Sequence, residues 1–283
     1  MLREAAPETI EGVERTVLVT GASSGIGLAC AVRLQAAGWR VLAGVRSAAD
    51  AGRLRGLGAV PVELDVTDAT QIEAAASAVG GRLDGLVANA GVAVAAPLEL
   101  VPLAELRRQL DVNLVGQVAV VQAFLPALRH GRGRIVLMGS IGGRSALPFL
   151  GPYAASKHAL EAVADTLRVE LRPWGIPVSI VEPASIRTRI WEKGAAGAEE
   201  MARSMAPESR DLYAAAMERF RAVALSRGPG GDPDDVARTV EQALTARRAK
   251  ARYLVGRDAR LRAWIERLPT RLRDRVIERA LTK

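Results

Sequence analysis

The segment TVLVTGASSGIGLACAVRL, Thr16 to Leu34, changes character twice within nineteen letters. It opens as a short run of Val and Leu bounded by threonines, the pattern of a buried strand. It then passes through Gly21, Gly25 and Gly27 and closes with apolar residues at helical spacing. The glycine spacing is G-x-x-x-G-x-G, one residue away from the common dinucleotide fingerprint. Glycines allow a tight turn and let backbone approach a pyrophosphate, whose charge is favoured at a helix N-terminus. A ligand-free glycine-rich helix cap would show the same letters. What selects the nucleotide reading is position: the turn follows the first strand of an alternating chain, where the sheet's switch point is expected. Ser23, Ser24 and Ile26 complete the turn and are candidate cofactor neighbours with the three glycines.

Working outward, further Val/Leu/Ile runs at Arg40–Val45, Val60–Leu64, Gly85–Ala90, Arg134–Gly139, Pro177–Glu182 and Arg252–Gly256 predict strands. They show little period-2 alternation, as expected for strands covered on both faces. Between them, Ile26–Ala37, Gln71–Val79, Leu103–Leu128 and Ala154–Leu171 carry helical spacing. This rhythm implies an α/β fold, a doubly wound, mainly parallel seven-stranded sheet of Rossmann type. From Arg189 to about Gly231 there is no strand signal, and one or two helices standing off the sheet are expected. Asp232 then reads as the cap of a helix with Pro233 at its first position. The expected organisation is one domain over residues 1–257, with a lid at about 189–231, followed by a basic amphipathic extension over 258–283.

Composition narrows the function classes. The chain has 283 residues, 49% hydrophobic and 25% charged, ordinary for a globular protein. Its one cysteine, Cys30, excludes an internal disulfide and reads as a core residue. The two histidines have no companions at ligand spacing, so no metal site is expected. No secretory pattern opens the sequence and no uninterrupted apolar run reaches ~18 residues, so a cytoplasmic location is expected. Net charge is +8, but residues 246–283 hold 13 Lys/Arg against 4 Asp/Glu, so the excess lies in the C-terminal segment. No nucleic-acid motif accompanies it.

Two positions bear on chemistry. At the end of the second strand, Val45 stands near the acid that would bind a ribose 2′-OH, and Arg46 follows. An arginine there can grip a 2′-phosphate, which favours NADP over NAD as cofactor; its bland alternative is a surface arginine on a loop. Further on, Tyr153 and Lys157 are i and i+4, projecting from one helix face. A phenol titrates near ~10, and a nearby ammonium favours its ionised form. Bringing it to ~7 needs ~4 kcal/mol, which a lysine and an oxidised nicotinamide together could supply. Ser140 falls at the C-terminal end of a strand, where open α/β sheets bind ligands.

Taken together, these motifs resemble the short-chain dehydrogenase/reductase family. The likeness runs from Arg15 to about Thr188 and rests on Thr20-Gly21-x-x-x-Gly25-x-Gly27, "LDV" with Asp65, "ANAG" at Ala88–Gly91, "DVN" with Asn113, Ser140, and Tyr153-x-x-x-Lys157. The resemblance implies Tyr153 as general acid/base and Lys157 as the residue holding the nicotinamide ribose and lowering the phenol's pKa. It implies Ser140 orienting the substrate oxygen and Asn113 retaining a water in a proton relay. Asp65 and Val66 would touch the adenine, and Asn89, Ala90 and Gly91 would line the cleft. Pro183, Ile186 and Thr188 would lie at the nicotinamide. Three positions depart from the family pattern: Ala88 for asparagine, Gly139 for serine, and Ala184 for the glycine that usually follows Pro183.

The long segment after Thr188 holds Ile190, Trp191, Met201, Met205, Leu212, Tyr213, Met217 and Phe220, and Leu147–Leu150 precedes Tyr153. These could be ordinary buried stripes or an adaptable apolar wall. The second reading implies a bulky hydrophobic alcohol or ketone, and the length of the lid is similar to the family's steroid- and retinol-type branch. A 3-oxoacyl thioester reductase is one rival; a non-catalytic NADP-sensing protein is another. The family's habits imply a homodimer or homotetramer through Leu103–Leu128 and Ala154–Leu171. The C-terminal segment carries two amphipathic patterns separated by Pro269, suited either to packing on the body or to peripheral membrane contact.

Overall fold

In the computed structural model, which describes residues 14–204, 207–226 and 230–282, the seven expected strands are all present. They are β1 (Thr16–Val19), β2 (Arg40–Val45), β3 (Val60–Glu63), β4 (Gly85–Ala88), β5 (Arg134–Met138), β6 (Val178–Pro183) and β7 (Arg252–Val255). They form one parallel sheet in the order β3-β2-β1-β4-β5-β6-β7. The order reverses between β1 and β4, and the glycine turn opens at that crevice. Successive strand residues face opposite layers: Val17 and Val19 join one core, Leu18 the other. Burial on both faces is why the strands read as continuous apolar runs.

One layer is built from α1 (Gly25–Ala36), α2 (Ala48–Gly56) and α9 (Pro233–Thr245). Helix α1 buries Gly27, Cys30, Ala31 and Leu34, a stripe at i, i+3, i+4 and i+7. Helix α9 answers with Val236, Ala237, Val240, Ala243 and Leu244. Arg33 bolts the two together, donating to Asp234 at 2.8 and 2.7 Å and to Glu241 at 3.1 Å. Asp232 caps α9 as expected, accepting from the Asp234 amide at 2.9 Å. The short α2 buries only Leu54 and is started by Ser47.

The opposite layer holds α3 (Ala69–Val79), α4 (Leu103–Leu110), α5 (Gly116–Gly131) and α6 (Gly151–Glu170). The continuous helix expected over Leu103–Leu128 is interrupted: α4 and α5 are joined by a π-helical turn, Asp111–Val115. The turn carries Asn113 to full burial. Gly116 follows it because a Cβ there would lie 2.5 Å from the Val66 carbonyl oxygen. This Leu103–Gly131 stretch has the length and composition of a membrane-crossing helix, yet here it packs on α3, β4 and α6.

The segment expected to form the lid holds two helices, α7 (Arg189–Ser204) and α8 (Pro207–Ser226); Met205 lies outside the described residues. A single bridge, Ile186 opposite Gly231, closes the base of the lid. The Arg187 amide donates to Gly231 O at 3.0 Å and the Gly231 amide to Ser185 O at 2.9 Å. After β7 come α10 (Arg257–Ile265) and α11 (Thr270–Thr282), broken by Pro269 as expected. Helix α10 packs on β7 and on the turn Ile141–Gly143, and α11 on α8.

Candidate active site

The glycine turn is a cradle shaped by backbone. Gly21 and Gly25 have φ of +63° and +54°, a left-handed conformation that favours glycine. A Cβ on Gly27 would stand 2.2 Å from Gly21 O, so no side chain fits between turn and helix. Ser24 stands at the N-cap of α1 without a side-chain capping bond. The opening amides of α1 are thus left by Ser24 for a ligand, and the residues fit a dinucleotide pyrophosphate. Ser23 and Ser24 are half-buried at the rim, while Ile26 packs onto the core. Arg53 of α2 donates to the Ser23 carbonyl and holds the turn from outside. Across the crevice, Thr20 Oγ1 accepts from the Asn89 and Ala90 amides, both at 2.9 Å. Asn89 Nδ2 donates back to Thr20 O at 2.9 Å.

At the adenine end, Arg46 is exposed and lies 3.5 Å from Asp65. Burial pushes the Asp65 carboxyl up, but hydrogen bonds from Thr67 and the Arg46 charge outweigh it and hold the group below its ordinary value. Val66 is buried beside it, and Gly91 opens toward Asn113.

Three amides at i, i+4 and i+8 along the interrupted helix pin the segment after β4. Gln109 accepts from the Val94 amide at 2.7 Å and donates to Val92 O at 2.8 Å. Asn113 accepts from the Val92 amide at 2.8 Å and donates to Val92 O at 3.0 Å and Ser156 Oγ at 3.2 Å. Gln117 donates to Ala90 O at 2.5 Å. Sequence reasoning found Asn113 and missed the two glutamines. Their spacing was the available signal.

Tyr153, Ser140 and Lys157 come together at the C-terminal ends of β5 and β6, all buried. Ser140 caps the turn after β5, accepting from the Gly142 amide at 3.0 Å, and its hydroxyl and the Tyr153 ring both lie against Gly142. Lys157 Nζ donates to Met138 O at 2.7 Å and stands 5.9 Å from the centre of the Tyr153 ring. The expected lowering of the phenol's pKa is not what the chain alone produces. Burial dominates and pushes Tyr153 up, against the Ser140 hydroxyl and the Arg262 charge. Burial also pushes the Lys157 ammonium down to about 8, with Glu161 one turn away opposing it. Two of the three family departures are accommodated. Ala184 keeps strand pairing, its amide donating to Val255 O at 2.8 Å, and a Cβ on Gly139 would crowd Ile180 at 2.8 Å.

Tyr153 and Ser140 face a cavity of about 730 Å³. Trp191 of α7 meets the Tyr153 ring edge-on at 5.4 Å between centroids. Phe149 packs edge-on against Phe220 at 5.5 Å and Tyr213 at 6.5 Å. Phe149 has φ of +66°, rare for a bulky residue, and is held by its carbonyl accepting from the Ala96 amide at 2.9 Å. Pro183 ends β6, and Ile186 and Thr188 continue along the cavity floor, with Thr188 against Gly25. Helices α10 and α11 supply Arg262, Ile265, Val276 and Ile277 to the far wall. Arg262 also donates to Ser145 O at 2.9 Å. The C-terminal segment is therefore a wall of the site, a role the sequence reading did not give it.

Behind Ser140, Tyr153 and Lys157 lies a partly buried charge cluster. Glu182 of β6 is fully buried and paired with Arg144 at 2.6 Å. Arg252 reaches Glu161 at 3.1 Å, Asp165 at 2.7 Å and Glu182 at 3.6 Å.

The sequence profile described as short chain dehydrogenase matches residues 15–199. The chain belongs to the short-chain dehydrogenase family. This dehydrogenase is 41% identical over 191 residues to the Uncharacterized oxidoreductase YbbO of Escherichia coli, covering 65% of this chain and 71% of that one. It is 37% identical over 256 residues to 17-beta-hydroxysteroid dehydrogenase type 1 of Homo sapiens, covering 84% and 76%. A short chain dehydrogenase from Burkholderia cenocepacia, solved in complex with NADP, superposes with a TM-score of 0.73 at 28% identity, covering 95% and 98%. The dehydrogenase is thus an NAD(P)-dependent oxidoreductase with hydroxysteroid dehydrogenase-like relatives.

Proposed function

We propose that the enzyme interconverts a secondary alcohol and a ketone on a hydrophobic, steroid- or retinoid-like substrate, with NADP(H) preferred over NAD(H). The observation carrying this reading is the apolar cavity of about 730 Å³ with a buried tyrosine and serine hydroxyl in its wall. A bound nicotinamide supplies or accepts the hydride. Tyr153 gives its proton to the substrate oxygen in reduction and takes it back in oxidation. Burial keeps the phenol protonated in the chain alone, the form that reduction needs. Ser140 aligns the oxygen beside it. Lys157, held at Met138 O, is placed to bind the nicotinamide ribose, and Asn113 fixes the Val92 backbone that borders it. Arg46 would turn from Asp65 to a 2′-phosphate, and the relative solved with NADP supports that choice. The human hydroxysteroid relative and the aromatic and methionine lining support the substrate class. A single domain, a cytoplasmic location and a homodimer or homotetramer complete the proposal; exposed Leu103, Val115 and Val169 on or beside the long helices support the oligomer.

The test is NADPH oxidation across a panel of steroid ketones, retinal-like carbonyls and 3-oxoacyl thioesters. Turnover of a hydrophobic ketone is expected, and Tyr153→Phe should lower kcat by about 10²–10⁴-fold with NADPH binding retained. Preference for thioesters, or cofactor binding with no turnover on the panel, would reject the proposal.

A further inference from the structure

The helices that wall the cavity have a second side. On α10, Ala259 is fully buried and Arg262 and Ile265 face the site, while Leu261 and Trp264 are 59% and 58% exposed. On α11, Val276 and Ile277 face the cavity and Leu272 is 46% exposed. A tryptophan and two leucines turned outward cost more than polar residues would there, unless something apolar receives them. Around them stand Arg260, Arg267, Arg271 and Arg275, all exposed and without an ion-pair partner among the described residues. Arg279 is exposed on the same side, and the exposed acids on these helices are Asp258, Asp274 and Glu278. Arg273 is spent on Glu266 and Asp274. The outward face is thus an apolar strip edged by arginines, of which Arg260, Arg267, Arg271 and Arg275 have no ion-pair partner among the described residues.

We propose that the outer face of α10 and α11 docks on an anionic phospholipid surface. Leu261, Trp264 and Leu272 enter the headgroup–acyl boundary, and Arg260, Arg267, Arg271 and Arg275 meet lipid phosphates. Charge complementarity selects this occupant. An arginine-edged strip is repelled by a second copy of itself, and nucleic acid would leave the tryptophan and leucines unburied. Geometry adds a consequence: the same two helices separate this surface from the cavity, so a substrate dissolved in the bilayer would have only one helical layer to pass. The docking itself stands whether or not the substrate assignment does.

Full-length protein should be mixed with vesicles of phosphatidylcholine alone and of phosphatidylcholine with phosphatidylglycerol, and flotation and tryptophan fluorescence recorded. Binding to the anionic vesicles only is expected, with a blue shift that Trp264→Phe removes, and weakening as salt rises. Replacing Arg260, Arg267, Arg271 and Arg275 by Gln should weaken binding about tenfold or more. Circular dichroism and NADPH binding of that variant report that it folds. Absence of vesicle binding, equal binding to neutral vesicles, or unchanged binding in the folded variant would overturn the proposal. So would an oligomer that Trp264→Glu dissociates, or duplex DNA displacing the vesicles while leaving Trp264 unshifted.

Discussion

Replacing Glu182 by Gln removes a titration that the fold has displaced. The Glu182 side chain has no exposed surface. Burial, then the neighbouring Glu161, push its carboxyl from 4.5 to about 7, while Arg144 and Arg252 offset only part of this. The folded protein therefore holds this proton more tightly than the unfolded chain does. Stability from the group is fully present below about pH 4.5 and is lost as pH rises through about 7. A displacement of that size corresponds to about 3 kcal/mol between pH 4.5 and 8. Glutamine keeps an acceptor for Arg144 and cannot titrate. Thermal melts of both proteins at pH 5, 6, 7 and 8 should therefore diverge. Between pH 5 and 8 this is about 2.5 kcal/mol, so the wild type should lose about 5–10 °C in Tm relative to Glu182→Gln, at ~2–4 °C per kcal/mol. Parallel curves would refute the reasoning, because they would mean Arg144 and Arg252 keep Glu182 at an ordinary value. A divergence of opposite sign would mean that the arginines win outright.

Other consequences can be read at single sites. Gly27→Ala places a methyl 2.2 Å from Gly21 O and 2.5 Å from Asn89 Nδ2; calorimetry should show NADPH affinity falling about tenfold or more, with ~1–3 kcal/mol lost in urea melts. Arg46→Ala removes the partner of Asp65; the ratio of kcat/KM for NADPH over NADH should drop about tenfold or more, since a charge-assisted bond to phosphate is worth ~1.5–3 kcal/mol. Cys30 is fully buried and its thiol is pushed up to about 12, chiefly by burial; native protein should resist thiol reagents and the urea-unfolded chain should react with one equivalent.

The sheet was legible because its strands are apolar on both faces and short. Every strand was located to within a residue or two, Arg40–Val45 without error. Helix α2 escaped notice because it buries a single leucine and so has no stripe to read. The π-turn at Asn113 was invisible for a different reason: it changes hydrogen bonding without changing the apolar period across Leu103–Gly131. Ser140, Tyr153, Lys157 and Asn113 could be named from motifs; the first three are found together, and Asn113 reaches the Tyr153 helix through Ser156. Partners joined only by the fold could not be named. Arg144 and Glu182 are 38 residues apart and Arg262 and Ser145 are 117 apart, and no local pattern links them. The same holds for the phenol's environment, where burial outweighs the neighbouring charges once the lid is in place.

The bridge between Ile186 and Gly231 makes the lid a cassette. Its two ends leave and rejoin the sheet at one paired point, fixed by two backbone bonds of 3.0 and 2.9 Å. Whatever lies between them can lengthen, shorten or be exchanged without shifting the register of β6 or β7, since added loop length costs little once its ends are pinned. The insert can then be traded while Ser140, Tyr153 and Lys157 beneath it stay in place.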